Sequence, residues 1–161
     1  MNSLITALHP TRDSLADFLR EAPAATPIVM LNLLRFQPLA AYTPGTAGSA
    51  ATGRQAYDEY VRLLFPILSA LGGQLVWRGQ AKSTLIAPQG EQWDEVLLVR
   101  YPAREAFLQM TRSPDYKAIV HHRTEALEDS RLVATVEDSR QALGSAVSPA
   151  PSCAADQPAP A

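Results

Sequence analysis

Pro27-Ile28-Val29-Met30-Leu31-Asn32-Leu33-Leu34-Arg35-Phe36 is the longest nearly unbroken apolar run in the chain. It is far short of the roughly 20 apolar residues that span a bilayer. Proline opens it, and Val and Ile favour extended backbone. A strand apolar on both faces is a strand covered on both faces. Before Arg35 one polar side chain, Asn32, interrupts it. A buried amide needs hydrogen-bond partners, so Asn32 is expected either to tie down neighbouring backbone or to point into a pocket.

Around this strand the chain supplies one domain's worth of sequence, 161 residues, 47% of them hydrophobic, enough for a real core. The net charge of −2 gives no basic footprint, so no nucleic-acid partner is expected. Lysine occurs only at Lys82 and Lys117, so cationic chemistry falls to arginine, a good anion ligand. The single cysteine, Cys153, excludes an internal disulfide and a cysteine metal cluster. The first residues lack a signal-peptide pattern, so a cytoplasmic location and no membrane partner are expected.

Upstream of the strand, residues 1–26 read as a lead-in with a short helix. Thr11 or Asp13 is its cap, and Leu15, Phe18 and Leu19 form its apolar stripe. Downstream, residues 37–53 form a long Ala/Gly/Thr/Pro loop, either a lid or a plain surface excursion. A helix is expected from Arg54 to about Leu71, with a kink or break at Pro66 and a stop at Gly72-Gly73. Residues 74–86 read as a second strand, and residues 93–101, centred on Val96-Leu97-Leu98-Val99, as its hairpin partner. A helix follows Pro102. Ser113-Pro114-Asp115 restarts one with a cap, a first-turn proline and an acid at the positive end of the dipole. Residues 132–136 are the last strand. Residues 141–161, rich in Ala, Pro and Ser and without periodicity, read as a disordered tail.

The order is a helix followed by βαββαβ. That predicts an α+β, ferredoxin-like domain over residues 27–140, a four-stranded antiparallel sheet with helices on one face. Two helices cover one face only, yet the first and third strands are apolar on both. A second copy is the simplest cover, giving a homodimer, a dimeric α+β barrel.

Met30 to Phe36, Gly72-Gly73, Trp93-Asp94, Tyr101-Pro102, Phe107, Ser113-Pro114-Asp115-Tyr116, His122-Arg123 and Ala126 to Ser130 together carry a resemblance, from about Pro27 to Val136. The chain resembles a bacterial domain-of-unknown-function family, YciI-like and similar to the antibiotic-biosynthesis monooxygenases, of the dimeric α+β barrel superfamily. That superfamily includes cofactor-free monooxygenases, haem-degrading enzymes and muconolactone isomerase, so the resemblance implies a fold and leaves the reaction open. Its oxygenases use an asparagine on the first strand beside Trp, Tyr, Arg or His, which Asn32 matches.

No nucleophile elbow, Walker loop or dinucleotide fingerprint occurs, and no cofactor is expected. His121 to Arg131 is the densest polar stretch. His122 is the expected proton carrier, with Asp129 orienting it. The bland alternative is an Arg123–Asp129 ion pair closing a helix–strand junction. His121 and Glu125, at i and i+4, are too few ligands, so no metal is expected. Asn32 is the candidate oxyanion holder. Arg78 or Arg123 is the candidate anion ligand, and Tyr57, Tyr60, Trp77, Trp93 and Tyr101 are candidate aromatic walls. The expected function is therefore cofactor-independent oxygenation, or proton transfer and isomerisation, on a small aromatic or carboxylate-bearing metabolite. The alternative is a non-catalytic ligand-binding or structural dimer.

Overall fold

The computed structural model describes residues 6–45 and 50–138. The predicted tail lies outside them. α1 (Arg12–Glu21) begins where Thr11 and Ser14 cap each other reciprocally. β1 (Ile28–Phe36) follows, then α2 (Gly53–Ala70), β2 (Gln74–Gln80), β3 (Glu95–Tyr101), α3 (Arg104–Arg112), α4 (Pro114–Ala126) and β4 (Leu127–Val136).

The sheet order is β2-β3-β1-β4, and every neighbouring pair is antiparallel. This is the predicted ferredoxin-like layer, with β1 at its centre. Alternation sorts β1 into two files. Ile28, Met30 and Leu34 are buried toward the helices, together with Leu97 and Tyr101 of β3. Val29, Leu31 and Leu33 point the other way, beside Val96 and Leu98 through the pairs Leu31↔Leu98 and Leu33↔Val96. Trp77 and Val133 extend that second face and are 51% and 47% exposed, so the described residues leave it uncovered.

Several expectations are corrected. β2 stops at Gln80, not Ile86, because the ladder closes at Gln80↔Glu95 and residues 81–94 lie beyond it. Leu85 and Ile86 are exposed there. β4 starts at Leu127, directly after α4, so Glu128 to Arg131 are strand residues. α2 runs through Pro66 without a break, since the exposed side of the helix tolerates a missing hydrogen bond. It ends in a Schellman motif, Gly73 N–H to Leu68 O at 2.9 Å and Gly72 N–H to Ser69 O at 3.0 Å, with Gly72 at φ +73°.

The described part of the loop between β1 and α2 is tied down. Gln37 N–H donates to Ala126 O at 2.9 Å, and Ala41 N–H to Glu125 O at 2.8 Å. Gly53 closes it. A Cβ there would lie 2.4 Å from both Ala126 O and Gln37 O, so only glycine lets α2 start against the end of α4.

Candidate functional site

α2 and α4 roof the sheet, and a cavity of about 80 Å³ remains between them. α2 aims Tyr57, Tyr60 and Leu64 into it at helical spacing, and α4 adds Tyr116 and Arg123. β1 supplies Asn32, whose alternation places it in the helix-facing file between Met30 and Leu34. Tyr57 and Tyr60 pack at 5.4 Å between ring centroids, and Tyr60 meets Tyr116 edge-on at 6.4 Å.

Burial sets the electrostatics here. It pushes the Tyr57 hydroxyl up to about 12, with the nearby Arg123 charge pulling the other way. The Tyr60 hydroxyl is raised well above its ordinary value, again chiefly by burial. Both stay protonated at neutral pH, so they are hydrogen-bond donors and not bases. Asn32 Nδ2 donates to Met30 O at 3.1 Å, and its Oδ1 has no partner among the described residues.

Arg123 is held by main chain and hydroxyl. Its Nη1 donates to Leu8 O at 3.0 Å and its Nη2 to Ser130 Oγ at 3.1 Å. Ser130 Oγ in turn donates to Ala7 O at 2.9 Å, and Ser130 N–H to the same oxygen at 3.0 Å. Asp129 Oδ1 accepts from Ala7 N–H at 2.7 Å and from Arg131 Nη1 at 2.6 Å. The lead-in is thus pinned to β4, and through it Arg123 is fixed. The ion pair expected between Arg123 and Asp129 does not form, because β4 starts early and turns Asp129 toward Ala7 and Arg131. These contacts, opposed by burial, hold the Asp129 carboxyl below its ordinary value.

The profile of the family described as "Domain of unknown function (DUF1330)" matches residues 46–136. The chain belongs to the DUF1330 family. RPA0582, a protein of unknown function from Rhodopseudomonas palustris, is 41% identical with a TM-score of 0.74, covering 83% of this chain and 98% of that one. Its methylated form matches with the same identity and TM-score over 96% of its length. The hydroxynitrile lyase of Passiflora edulis is similar at 8% identity and a TM-score of 0.48, over 71% of this chain and 96% of that one. A likeness that faint says nothing about activity. No curated protein sequence matches.

In this DUF1330 chain the remaining predicted residues are dispersed. His122 lies outside the cavity, with Nδ1 2.5 Å from the Tyr42 hydroxyl and its ring 4.0 Å from that of His121. Burial and His121 push its pKa down, with Glu59 opposing. Asp129 does not orient it, being engaged at Ala7. Arg78 is neutralised, donating to Glu95 Oε1 at 2.8 Å and to Asp58 Oδ1 at 2.7 Å. Glu95 is only 2% exposed and its other oxygen takes Arg54 Nη1 at 2.7 Å. Trp77 sits on the uncovered sheet face. Arg131 lies 5.1 Å over the Trp93 ring. Tyr101 lines the cavity's far end, near Met110.

A larger cavity of about 570 Å³ runs between α1 and β4, walled by Leu15, Phe18, Leu132 and Val136. None of the sequence-predicted site residues lines it. Sequence reasoning missed Tyr116, Tyr42 and Leu8. Tyr116 was recoverable, since it stands seven residues before Arg123 on one face of α4. The main-chain oxygen of Leu8 leaves no trace in a sequence. Among the described residues no three His, Cys, Asp or Glu side chains gather as metal ligands, and no helix is long and apolar enough to cross a membrane.

Proposed function

We propose that this protein binds a small carboxylate- or carbonyl-bearing metabolite in the cavity beneath α2 and α4. One observation carries the reading. Arg123, without a carboxylate partner among the described residues, shares an apolar, tyrosine-walled cavity with Asn32. A cation half-buried without a counter-charge favours an anion beside it. Tyrosine hydroxyls kept protonated, and the Asn32 amide, add neutral polar groups that orient the ligand.

A catalytic version of this reading has its own support. Arg123 and protonated tyrosine hydroxyls sharing one cavity favour negative charge developing on an enolate or oxyanion. That suits cofactor-independent oxygenation or isomerisation. Its weakness is the proton carrier. His122 is engaged by Tyr42 outside the cavity, and no histidine or carboxylate among the described residues lines it to take the proton. The non-catalytic version needs no such step and is preferred.

The homodimer belongs to the same proposal. Val29, Leu31, Leu33, Val96, Leu98 and Trp77 form an apolar sheet face that no element among the described residues covers, and a second copy would bury it. A cytoplasmic place of work suits a chain whose lone cysteine forms no internal disulfide.

The test is a thermal-shift screen of small carboxylates, phenols and lactones against the native chain and Arg123→Gln. Stabilisation of the native chain, lost in the variant, is expected. Hits that stabilise both equally would overturn the assignment of Arg123.

A further inference from the structure

The loop between β2 and β3 carries an apolar pair that the fold leaves in water. Its root is closed, with Ala81 N–H donating to Asp94 O at 2.9 Å and Asp94 N–H to Leu34 O at 2.8 Å. Beyond that root, residues 82–90 are all exposed. Leu85 and Ile86 stand among them, 94% and 93% exposed, the most exposed large hydrophobic residues among those described. Single apolar side chains on a surface are ordinary, but two adjacent ones on a projecting loop mark a contact site. A matching seat lies at the other edge of the sheet. The cavity of about 570 Å³ between α1 and β4 is floored by Ile28 and Met30, and its walls Leu15, Leu132 and Val136 are exposed.

The register puts the loop and the groove at the same end of the sheet. Leu34 pairs with Glu95, where the loop rejoins the ladder, and with Ser130, which lines the groove. The order β2-β3-β1-β4 sets them on opposite edges. Let two copies pack their uncovered sheet faces about a twofold axis running along the strands. Ends then stay level while edges exchange, so the β2 edge of each copy lies over the β4 edge of the other. Packed sheets stand roughly 10 Å apart, and the five residues from Lys82 to Ile86 can span roughly 16 Å. The loop is therefore long enough to pass the partner's β4 edge. The charges agree as well. Asp17 and Glu21 line the groove and share the exposed Arg20, while Lys82 stands three residues before Leu85.

We propose that Leu85 and Ile86 of each copy seat in the groove between α1 and β4 of a second copy, a reciprocal exchange that locks the homodimer. It rests on the homodimer proposed above and adds to it the direction of the twofold axis. Both contacts form at once under that axis, so the assembly closes at two chains.

The experiment uses the full chain in two ways. Light scattering over a dilution series compares the native chain with the double variant Leu85→Asp, Ile86→Asp. Both side chains are exposed in the protomer, so the variant keeps its fold, and its dimer dissociation constant should rise at least tenfold. In a Cys153→Ser background, a chain with Ile86→Cys is co-expressed with one carrying Leu15→Cys and treated with a short bismaleimide. A cross-link between the two chains is expected, and none when either is expressed alone. A native dimer whose dissociation constant the double variant leaves unchanged, or that gives no cross-link between these positions, would overturn the exchange and leave the homodimer standing. Cross-linking of the Ile86→Cys chain to itself would bring the two loops together, with the axis across the strands, and would overturn it too. A native chain that is monomeric at micromolar concentration would overturn the exchange and the homodimer together.

Discussion

The Tyr42 hydroxyl lies 2.5 Å from Nδ1 of His122, joining the loop after β1 to the solvent side of α4. Tyr42 is held above its ordinary pKa, by burial first and by Glu125 and Glu59 next, so it stays protonated beside the ring, and the imidazole tautomer sets which of the two donates.

A pH dependence follows from that geometry. The His122 pKa is lowered from the ordinary 6.5, by burial and by His121. Folding thus favours the neutral ring. The stability it contributes is present above the unfolded value and is lost as pH falls through the folded one. NMR titration of the ring protons should give a midpoint below 6.5. A midpoint at or above that value would show that burial and His121 do not favour the neutral ring.

Asn32→Leu is expected to leave stability within about 1 kcal/mol of the native chain or to raise it. The change removes one hydrogen bond, to Met30 O, but fills apolar space. Chemical denaturation measures this. A loss above about 3 kcal/mol would make Asn32 a structural tie, since that exceeds what one neutral hydrogen bond contributes.

Glu95→Ala should cost about 3 kcal/mol. Glu95 is nearly fully buried and satisfies Arg54 and Arg78 together, and removing one member of a buried ionic cluster strands the rest. Both arginines retain some solvent contact, which limits the loss. Urea unfolding with a change under 1 kcal/mol would mean that the arginines simply rehydrate.

Gly53→Ala should destabilise by about 2–3 kcal/mol, as overpacking against backbone does, because the added methyl meets two carbonyl oxygens that cannot both retreat. The same denaturation series reads it. An unchanged midpoint would mean that the start of α2 shifts freely.

Trp77→Asp tests the dimer. Trp77 stands on the uncovered face, its ring over Gly79, where an added Cβ would come within 2.2 Å of it. A charge there would be buried against a second sheet. Light scattering should show a dimer for the native chain and a monomer for the variant. A native chain that is monomeric at micromolar concentration would remove the barrel.

Periodicity and punctuation alone determined the elements of this protein. The two-sided apolar strand around Asn32, the cap at Ser113-Pro114 and the stop at Gly72-Gly73 are local signals, written in adjacent residues, and they suffice for βαββαβ. What only the tertiary structure decided is which polar side chains meet. His122 and Arg123 are neighbours in sequence, yet adjacent positions on a helix point about 100° apart. One therefore faces the Tyr42 loop and the other the cavity. Asp129 became a clasp for Ala7, and Arg78 a partner of Glu95, through contacts spanning 122 and 17 residues. No spacing rule encodes such pairs, because they depend on where β4 begins and on a main-chain oxygen, Leu8 O, that every residue type carries alike.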